Sequence, residues 1–393
     1  MRDAGGARGA LLLTGASGFV GQSLLARWLK RSERPVVVLV RAADDDAARA
    51  RVVALLGEDV VRDARAPLHA LAADVCEIEA DDVASRVRSV LADRVAVDEV
   101  IHAAACVRFD QTLDEARAVN VAGTERMLAL ARALHAASPL HRYVQVSTAY
   151  VAGTFAGRFG EGDRRIGQAF RNGYEQSKLE AEELVVAAAG HGLPVQVVRP
   201  SIVVGDRASG WTAAFNVLYV PLRALVAGAV DAVPEQDGGL LDVVPVDYVA
   251  DGLLGLSDAP ADGRTYHLTA GRHAITVGEL ADLACRTTGR KPPPRVTAET
   301  FAATLSGSAA GRVLAANLGD YLPYLDVQTR FDAAGAEAWL APRGVRVTPV
   351  ADYLHRLIAF AQERRWGRMR RRVADAAGGA GLAAGLRGRS PAA

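Results

Sequence analysis

Short runs of consecutive apolar residues alternate with segments of helical period through the first half of the chain. Residues 10–13, 35–40, 69–73, 99–104, 143–146 and 194–198 read as strands. Residues 19–30, 44–56, 120–134 and 175–189 read as the helices between them. Strands that are apolar at successive positions, rather than at every second one, are buried on both faces. Regular strand–helix alternation with short connections then predicts an α/β fold, a doubly wound and mostly parallel sheet covered by helices on both sides. After Ser201 the rhythm becomes irregular. An apolar segment containing Trp211 is followed by a strand near 240–244, a helix from Asp247, a strand at 266–268 and a helix from Val277, with Pro292-Pro293-Pro294 beyond. This half predicts a smaller C-terminal substrate-binding lobe. The expected boundaries are a flexible N-terminus at 1–9, a first domain at 10–205, the lobe at 206–373 with segments returning to the core, and a disordered tail at 374–393.

Composition narrows the class. The 393 residues are half apolar, enough for one large core or two smaller ones, and carry 46 basic against 45 acidic side chains. That balance argues against a nucleic-acid binder, which carries a basic surplus. Cys76, Cys106 and Cys285 are widely spaced and form neither a disulfide framework nor a CxxC metal motif, so a reducing compartment and no metal are expected. The longest apolar candidate for a membrane span, 212–230, is broken by Asn216, Pro221 and Arg223. Residues 1–9 are short and mixed, unlike a secretory signal. The expectation is a soluble cytoplasmic enzyme.

The chemistry sits at strand ends. Thr14-Gly15-Ala16-Ser17-Gly18-Phe19-Val20-Gly21 joins the first strand to the first helix. Gly15 permits the tight turn, Gly18 lets a pyrophosphate approach the backbone, and Gly21 allows close helix–strand packing, as in a Rossmann dinucleotide site. The second strand ends in Arg41 rather than an acid. An arginine there pairs with a 2′-phosphate, which favours NADPH. Asp44, Asp45 and Asp46 suit a helix N-terminus, Arg51 is a second phosphate contact or a surface residue, and Asp74-Val75 lies where a carboxylate meets the adenine amino group or merely forms a loop. Further on, Tyr174 and Lys178 stand four apart on one helix face. An ammonium there favours the phenolate, lowering the tyrosine pKa toward neutrality, and holds the nicotinamide ribose. Only three lysines occur in the chain, Lys30, Lys178 and Lys291, so a motif lysine is hard to obtain by chance. The strand before this helix ends Val146-Ser147-Thr148. Thr148 is expected to bond the substrate oxygen, with strand alternation turning Ser147 away.

Together these residues carry a resemblance. The glycine loop, His102-Ala103-Ala104-Ala105, Asn120-Val121-Ala122-Gly123-Thr124, the hydroxyl strand, the Tyr174/Lys178 helix and Arg199-Pro200-Ser201-Ile202-Val203 resemble an extended short-chain dehydrogenase/reductase over roughly residues 11–249. Val107-Arg108-Phe109 and Val146-Ser147-Thr148-Ala149-Tyr150 are similar to the fatty acyl-CoA reductases and to the terminal reductase domains of carboxylic acid reductases and peptide synthetases. The resemblance implies NADPH-dependent reduction of an acyl thioester, on coenzyme A or an acyl-carrier protein, to an aldehyde or on to an alcohol. It implies Thr148, Tyr174 and Lys178 as catalytic residues and gives Asn120 a structural or water-ordering role. Ala103, Ala104 and Ala105 would line the cofactor, and Pro200, Ser201 and Ile202 its nicotinamide end. No adenylation or carrier segment is recognisable, so the thioester is expected to be made elsewhere.

Other readings use the same residues. A ketone/alcohol dehydrogenase of hydroxysteroid or flavanone type would employ the same three catalytic side chains. A sugar-nucleotide epimerase or dehydratase is disfavoured by Arg41, and a nucleotide-sensing regulatory protein by the intact Tyr174/Lys178 pair. Trp211, Phe215, Leu218, Tyr219 and Leu222 pack the lobe or line an acyl channel. Asp247 is expected to cap its helix. Arg364, Arg365, Arg368 and the arginines at 370–372 flank Trp366 and Met369; a solvated helix end is the commoner explanation, and an acidic carrier protein, coenzyme A phosphates or a peripheral membrane contact are the functional ones.

Overall fold

The computed structural model describes residues 9–367, apart from 216, 236, 237, 308, 320, 325 and 326. The expected tail at 374–393, Arg368, Met369, the arginines at 370–372 and most of the N-terminal segment therefore lie outside the described residues.

Seven parallel strands form the central sheet: β1 (Ala10–Thr14), β2 (Val36–Val40), β3 (Leu68–Ala72), β4 (Val97–His102), β5 (Arg142–Val146), β6 (Val195–Pro200) and β7 (Asp262–Leu268). Their order is β7-β6-β5-β4-β1-β2-β3. The apolar runs explain why the sheet is covered twice. Leu11 and Leu13 of β1, with Val36, Val38 and Val40 of β2, face the cluster that holds Leu24, Trp28 and Leu253. The intervening Ala10, Leu12, Val37 and Leu39 face the opposite cluster with Val83, Met127 and Val185. Each fully buried Val or Leu contributes about 1.5–3 kcal/mol. Because β1 has β2 on one side and β4 on the other, the strand order reverses there and a cleft opens at the strands' C-terminal ends.

The smaller lobe packs around a third core that includes Tyr150, Phe159, Leu222, Leu280, Tyr353 and Leu357. Helices Tyr219–Ala227, Val277–Thr288 and Leu354–Glu363 build it. Short parallel strand pairs tie it to the sheet domain: Ile202–Val204 with Val243–Pro245, and Gly157–Phe159 with Thr329–Phe331. Residues before 205 thus contribute to the lobe, while β7 and helix Val246–Gly255 return to the sheet.

Three local expectations are corrected. The helix expected at 120–134 is two, Leu113–Asn120 and Ala122–Ala137, and the first begins at a Thr112/Glu115 capping box. The strand near 240–244 is Val243–Pro245, with Leu240 and Leu241 making isolated antiparallel bridges to Val327 and Ile275. Asp247 is no cap, because Pro245 occupies the cap position; the Asp247 carboxylate accepts from the Arg207 amide (2.9 Å) and pairs with its guanidinium (2.8 Å).

At its β7 edge the sheet meets Glu161. This carboxylate accepts from the backbone amides of His267 (2.9 Å), Gly335 (2.9 Å) and Ala336 (3.0 Å). Cys76, Cys106 and Cys285 are free thiols. Among the described residues no helix is long and apolar enough to cross a membrane, and no group of three or more His, Cys, Asp or Glu is placed to hold a metal.

Candidate active site

The glycine loop lies flat against the segment after β4. Gly15 has φ +75°, and a Cβ on it would sit 2.4 Å from the Ala103 carbonyl carbon. A Cβ on Gly21 would meet the Gly15 carbonyl oxygen at 2.0 Å, so only glycine lets the first helix pack this closely. Helix Phe19–Arg31 starts at Gly18 with neither a capping side chain nor an acid in its first turn. Its free N–H groups and positive dipole end therefore suit an anion such as a pyrophosphate. Helix Asp45–Leu56 is different, since Asp44 caps it by accepting from the Ala47 amide at 2.8 Å.

Two of the acids near the end of β2, Asp44 and Asp45, are occupied. Asp45 Oδ1 accepts from the Ala72 amide and from Arg86, both at 2.7 Å. Arg41 is exposed just beyond β2, and the Arg51 guanidinium donates to its carbonyl at 2.7 Å. Asp74 folds back onto its own turn, accepting from the Cys76 amide at 3.0 Å, while Val75 packs against Gly123. Thr14 is fully buried, its hydroxyl 2.7 Å from His102 Nδ1. Burial holds His102 neutral, with its pKa down to about 3.

Tyr174 and Lys178 ride on helix Gly173–Ala189, which Asn172 caps through the Glu175 amide (3.1 Å). Lys178 is 2% exposed, and its ammonium donates to the Val146 carbonyl (2.7 Å) at the end of β5. Burial lowers its pKa to about 8, partly opposed by Glu182. Tyr174 departs from the sequence expectation. Burial pushes its phenol up to about 12 despite a hydrogen bond with the Thr148 hydroxyl. A desolvated phenolate is costly here, and the Lys178 ammonium is spent on a carbonyl. Asn120 braces the helix from behind: Oδ1 accepts from the Cys106 amide (2.8 Å), and Nδ2 donates to the Cys106 carbonyl (3.1 Å) and to Ser177 Oγ (3.0 Å).

These parts converge on one cavity of about 350 Å³. Gly15, Gly18, Phe19, Val20, Ala103, Ala105, Lys178, Pro200, Ser201 and Ile202 line it, together with Thr148 and Tyr174. Thr14, Ser17, Arg41, Asp74, Val75 and Ala104 stand outside its wall. Ser147 also lines it, because β5 ends at Val146 and strand alternation no longer governs the next residue. Phe109, Tyr150, Ala214, Val217 and Tyr324 complete its lining. Tyr324 lies 150 positions from Tyr174 in sequence and has no motif around it, so only the folded chain reveals it.

Residues 13–253 match the family described as male sterility protein, an NAD-binding family, over more than half of the chain. The chain belongs to this family. As a male sterility family member it is an NAD(P)-binding oxidoreductase of the extended short-chain dehydrogenase/reductase type. An isonitrile lipopeptide synthase of Streptomyces coeruleorubidus is 33% identical over 298 residues, 71% of this chain and 18% of that protein. A carboxylic acid reductase of Segniliparus rugosus is 30% identical over 285 residues, 65% of this chain and 23% of that protein. The chain thus spans under a quarter of either relative. The crystal structure of the terminal R domain from the myxalamid PKS-NRPS pathway shares the fold, with TM-score 0.77, 23% identity and 94% of each chain covered.

Proposed function

We propose that this protein reduces acyl thioesters, carried on coenzyme A or a carrier protein, to aldehydes with NADPH. The observation that carries the reading is the meeting of Thr148, Tyr174 and Lys178 in one cavity with an uncapped, glycine-walled helix N-terminus. The relatives named for peptide assembly and carboxylic acid reduction support the thioester as substrate.

Bound there, NADPH would supply a hydride to the thioester carbonyl carbon. The pyrophosphate would rest on Gly18 and the first turn of its helix, and Lys178 would hold the ribose. Thr148 and Tyr174 place two hydroxyl donors at the carbonyl oxygen, where negative charge develops. A tyrosine with its pKa near 12 is fully protonated at neutral pH, the state a reductase acid requires. It gives its proton to that oxygen, forming a hemithioacetal. Cleavage of the C–S bond then releases the aldehyde, and the hydroxyl proton leaves with the sulfur as thiol. A second NADPH would be needed to carry the aldehyde on to an alcohol.

The test is NADPH consumption with acyl-CoA thioesters of several lengths beside ketone and aldehyde controls. Turnover of ketones alone would replace the thioester reading with the ketone/alcohol dehydrogenase. Arg41, exposed at the end of β2, is assigned to the 2′-phosphate. NADPH should bind much more tightly than NADH, with Arg41→Ala removing most of the difference in a fluorescence titration. Equal affinities in the unmutated protein would sink the assignment. The rate should also fall as pH rises through about 8, where Lys178 loses its charge. A rate flat from pH 7 to about 10 would separate the ammonium from catalysis.

A further inference from the structure

One wall of the cavity, beside Tyr174, is a cluster of aromatic rings. Phe109 stacks on Tyr324 (centroids 5.0 Å apart, 21° between planes) and touches Tyr174 at 5.7 Å. Tyr150 meets Tyr324 edge-on at 5.1 Å. Tyr324 belongs to the lobe, in the short turn Leu322–Tyr324, yet it is anchored to the catalytic helix. Its phenol donates to Glu175 Oε1 (2.7 Å) and accepts from Asn172 Nδ2 (2.8 Å). Ring contacts with Phe109 and Tyr150 hold the ring in place, and the two hydrogen bonds to the turn that carries Tyr174 reinforce it.

Charge is kept behind this ring. Glu175 is fully buried and accepts from the Arg171 amide (2.9 Å), while the Arg171 guanidinium pairs with it at 3.3 Å and lies 5.5 Å from the Tyr324 ring centre. Among the described residues lining the cavity, Lys178 is the one formally charged side chain, and its ammonium is engaged by the Val146 carbonyl. A carboxylate or ammonium on the acyl group would thus be desolvated against rings with no counter-charge.

We propose that Tyr324 is a specificity-determining residue that sets the depth of the acyl site and restricts it to uncharged acyl groups ending against the Phe109/Tyr324 stack. The reaction named rests on the thioester reading, but the wall limits any carbonyl substrate entering this cavity. Tyr324→Phe keeps the ring and loses both hydrogen bonds, whereas Tyr324→Leu and Tyr324→Ala open the wall.

The experiment measures kcat/KM for butanoyl, octanoyl and dodecanoyl thioesters of coenzyme A, for succinyl-CoA, and for the aldehydes of the three chain lengths. In Tyr324→Leu and Tyr324→Ala the dodecanoyl-to-butanoyl ratio should rise by about tenfold or more, the scale on which apolar pockets discriminate size. Tyr324→Phe should keep the wild-type ratio even if its absolute rate falls, which merely structural damage would not produce. Succinyl-CoA should be at least about tenfold poorer than butanoyl-CoA in the wild type. A length ratio unchanged in the Leu and Ala variants, one altered equally by Tyr324→Phe, or parity of succinyl and butanoyl substrates overturns the proposal. Turnover of aldehydes without thioesters overturns the thioester reading alone, with Tyr324 judged on the aldehyde series. No turnover of either series overturns both.

Discussion

Tyr174→Phe should lower kcat by about 10²- to 10⁴-fold, the usual contribution of a positioned general acid, while NADPH still binds. The substitution is conservative everywhere except at the oxygen. The ring keeps its place beside Phe109 at 5.7 Å, Asn172 still caps the helix, and Ser177 Oγ still donates to the residue-174 carbonyl at 3.0 Å. What disappears is the proton and the bond to Thr148. Steady-state turnover beside a cofactor titration separates the two effects. Turnover near the wild-type level would remove Tyr174 as the acid. Because the Tyr174 pKa lies near 12 and that of Lys178 near 8, the alkaline limit on activity should belong to the lysine.

Glu182→Gln should cost about 3–5 kcal/mol of stability, the penalty for leaving a buried charge without its partner. Glu182 and Arg199 are both fully buried and meet at 2.6 Å. With the carboxylate gone, little else nearby balances the guanidinium. His267, 3.3 Å from Arg199, is held neutral by burial with its pKa near 3, and Arg199 otherwise rests on the Phe159 ring at 5.3 Å. Glu182 also supports the charge on Lys178, so the variant should move the alkaline limit of activity below about 8. Denaturant unfolding reads the first effect and a pH–rate profile the second. The double variant Glu182→Leu/Arg199→Met should recover most of the lost stability, because apolar replacement of a whole buried pair is often neutral or better. A loss under about 1 kcal/mol in Glu182→Gln would mean that the pair behaves as a surface one.

The legible parts of the sequence were those written in short-range spacing. The β1 glycine loop and the Tyr174/Lys178 pair are each encoded within eight residues, so one turn or one helix face fixes their geometry. The sheet was legible because its apolar runs are continuous and its helices amphipathic. Position along an element was harder to read than the element itself. Asn120 ends one helix instead of opening another, because Val121 separates two helices with no Gly or Pro to mark the break. Asp247 resembles a cap, but Pro245 already holds that place and the carboxylate is drawn to Arg207. The Tyr174 pKa could not be read from spacing at all, since desolvation depends on walls that the lobe supplies. Those walls, from Phe109 to Tyr324, are assembled from distant segments and leave no local pattern.

Glu161 has a consequence for assembly. The outermost strand of a parallel sheet normally offers a row of free amides on which a strand from another molecule can grow. Here one carboxylate takes the outward amide of His267 and ties it to the start of helix Ala334–Leu340 through Gly335 and Ala336. The β7 margin is thereby occupied at His267 by a side chain in place of an eighth strand. A strand continuing the sheet past His267 would first have to evict Glu161 and leave three amides without their acceptor.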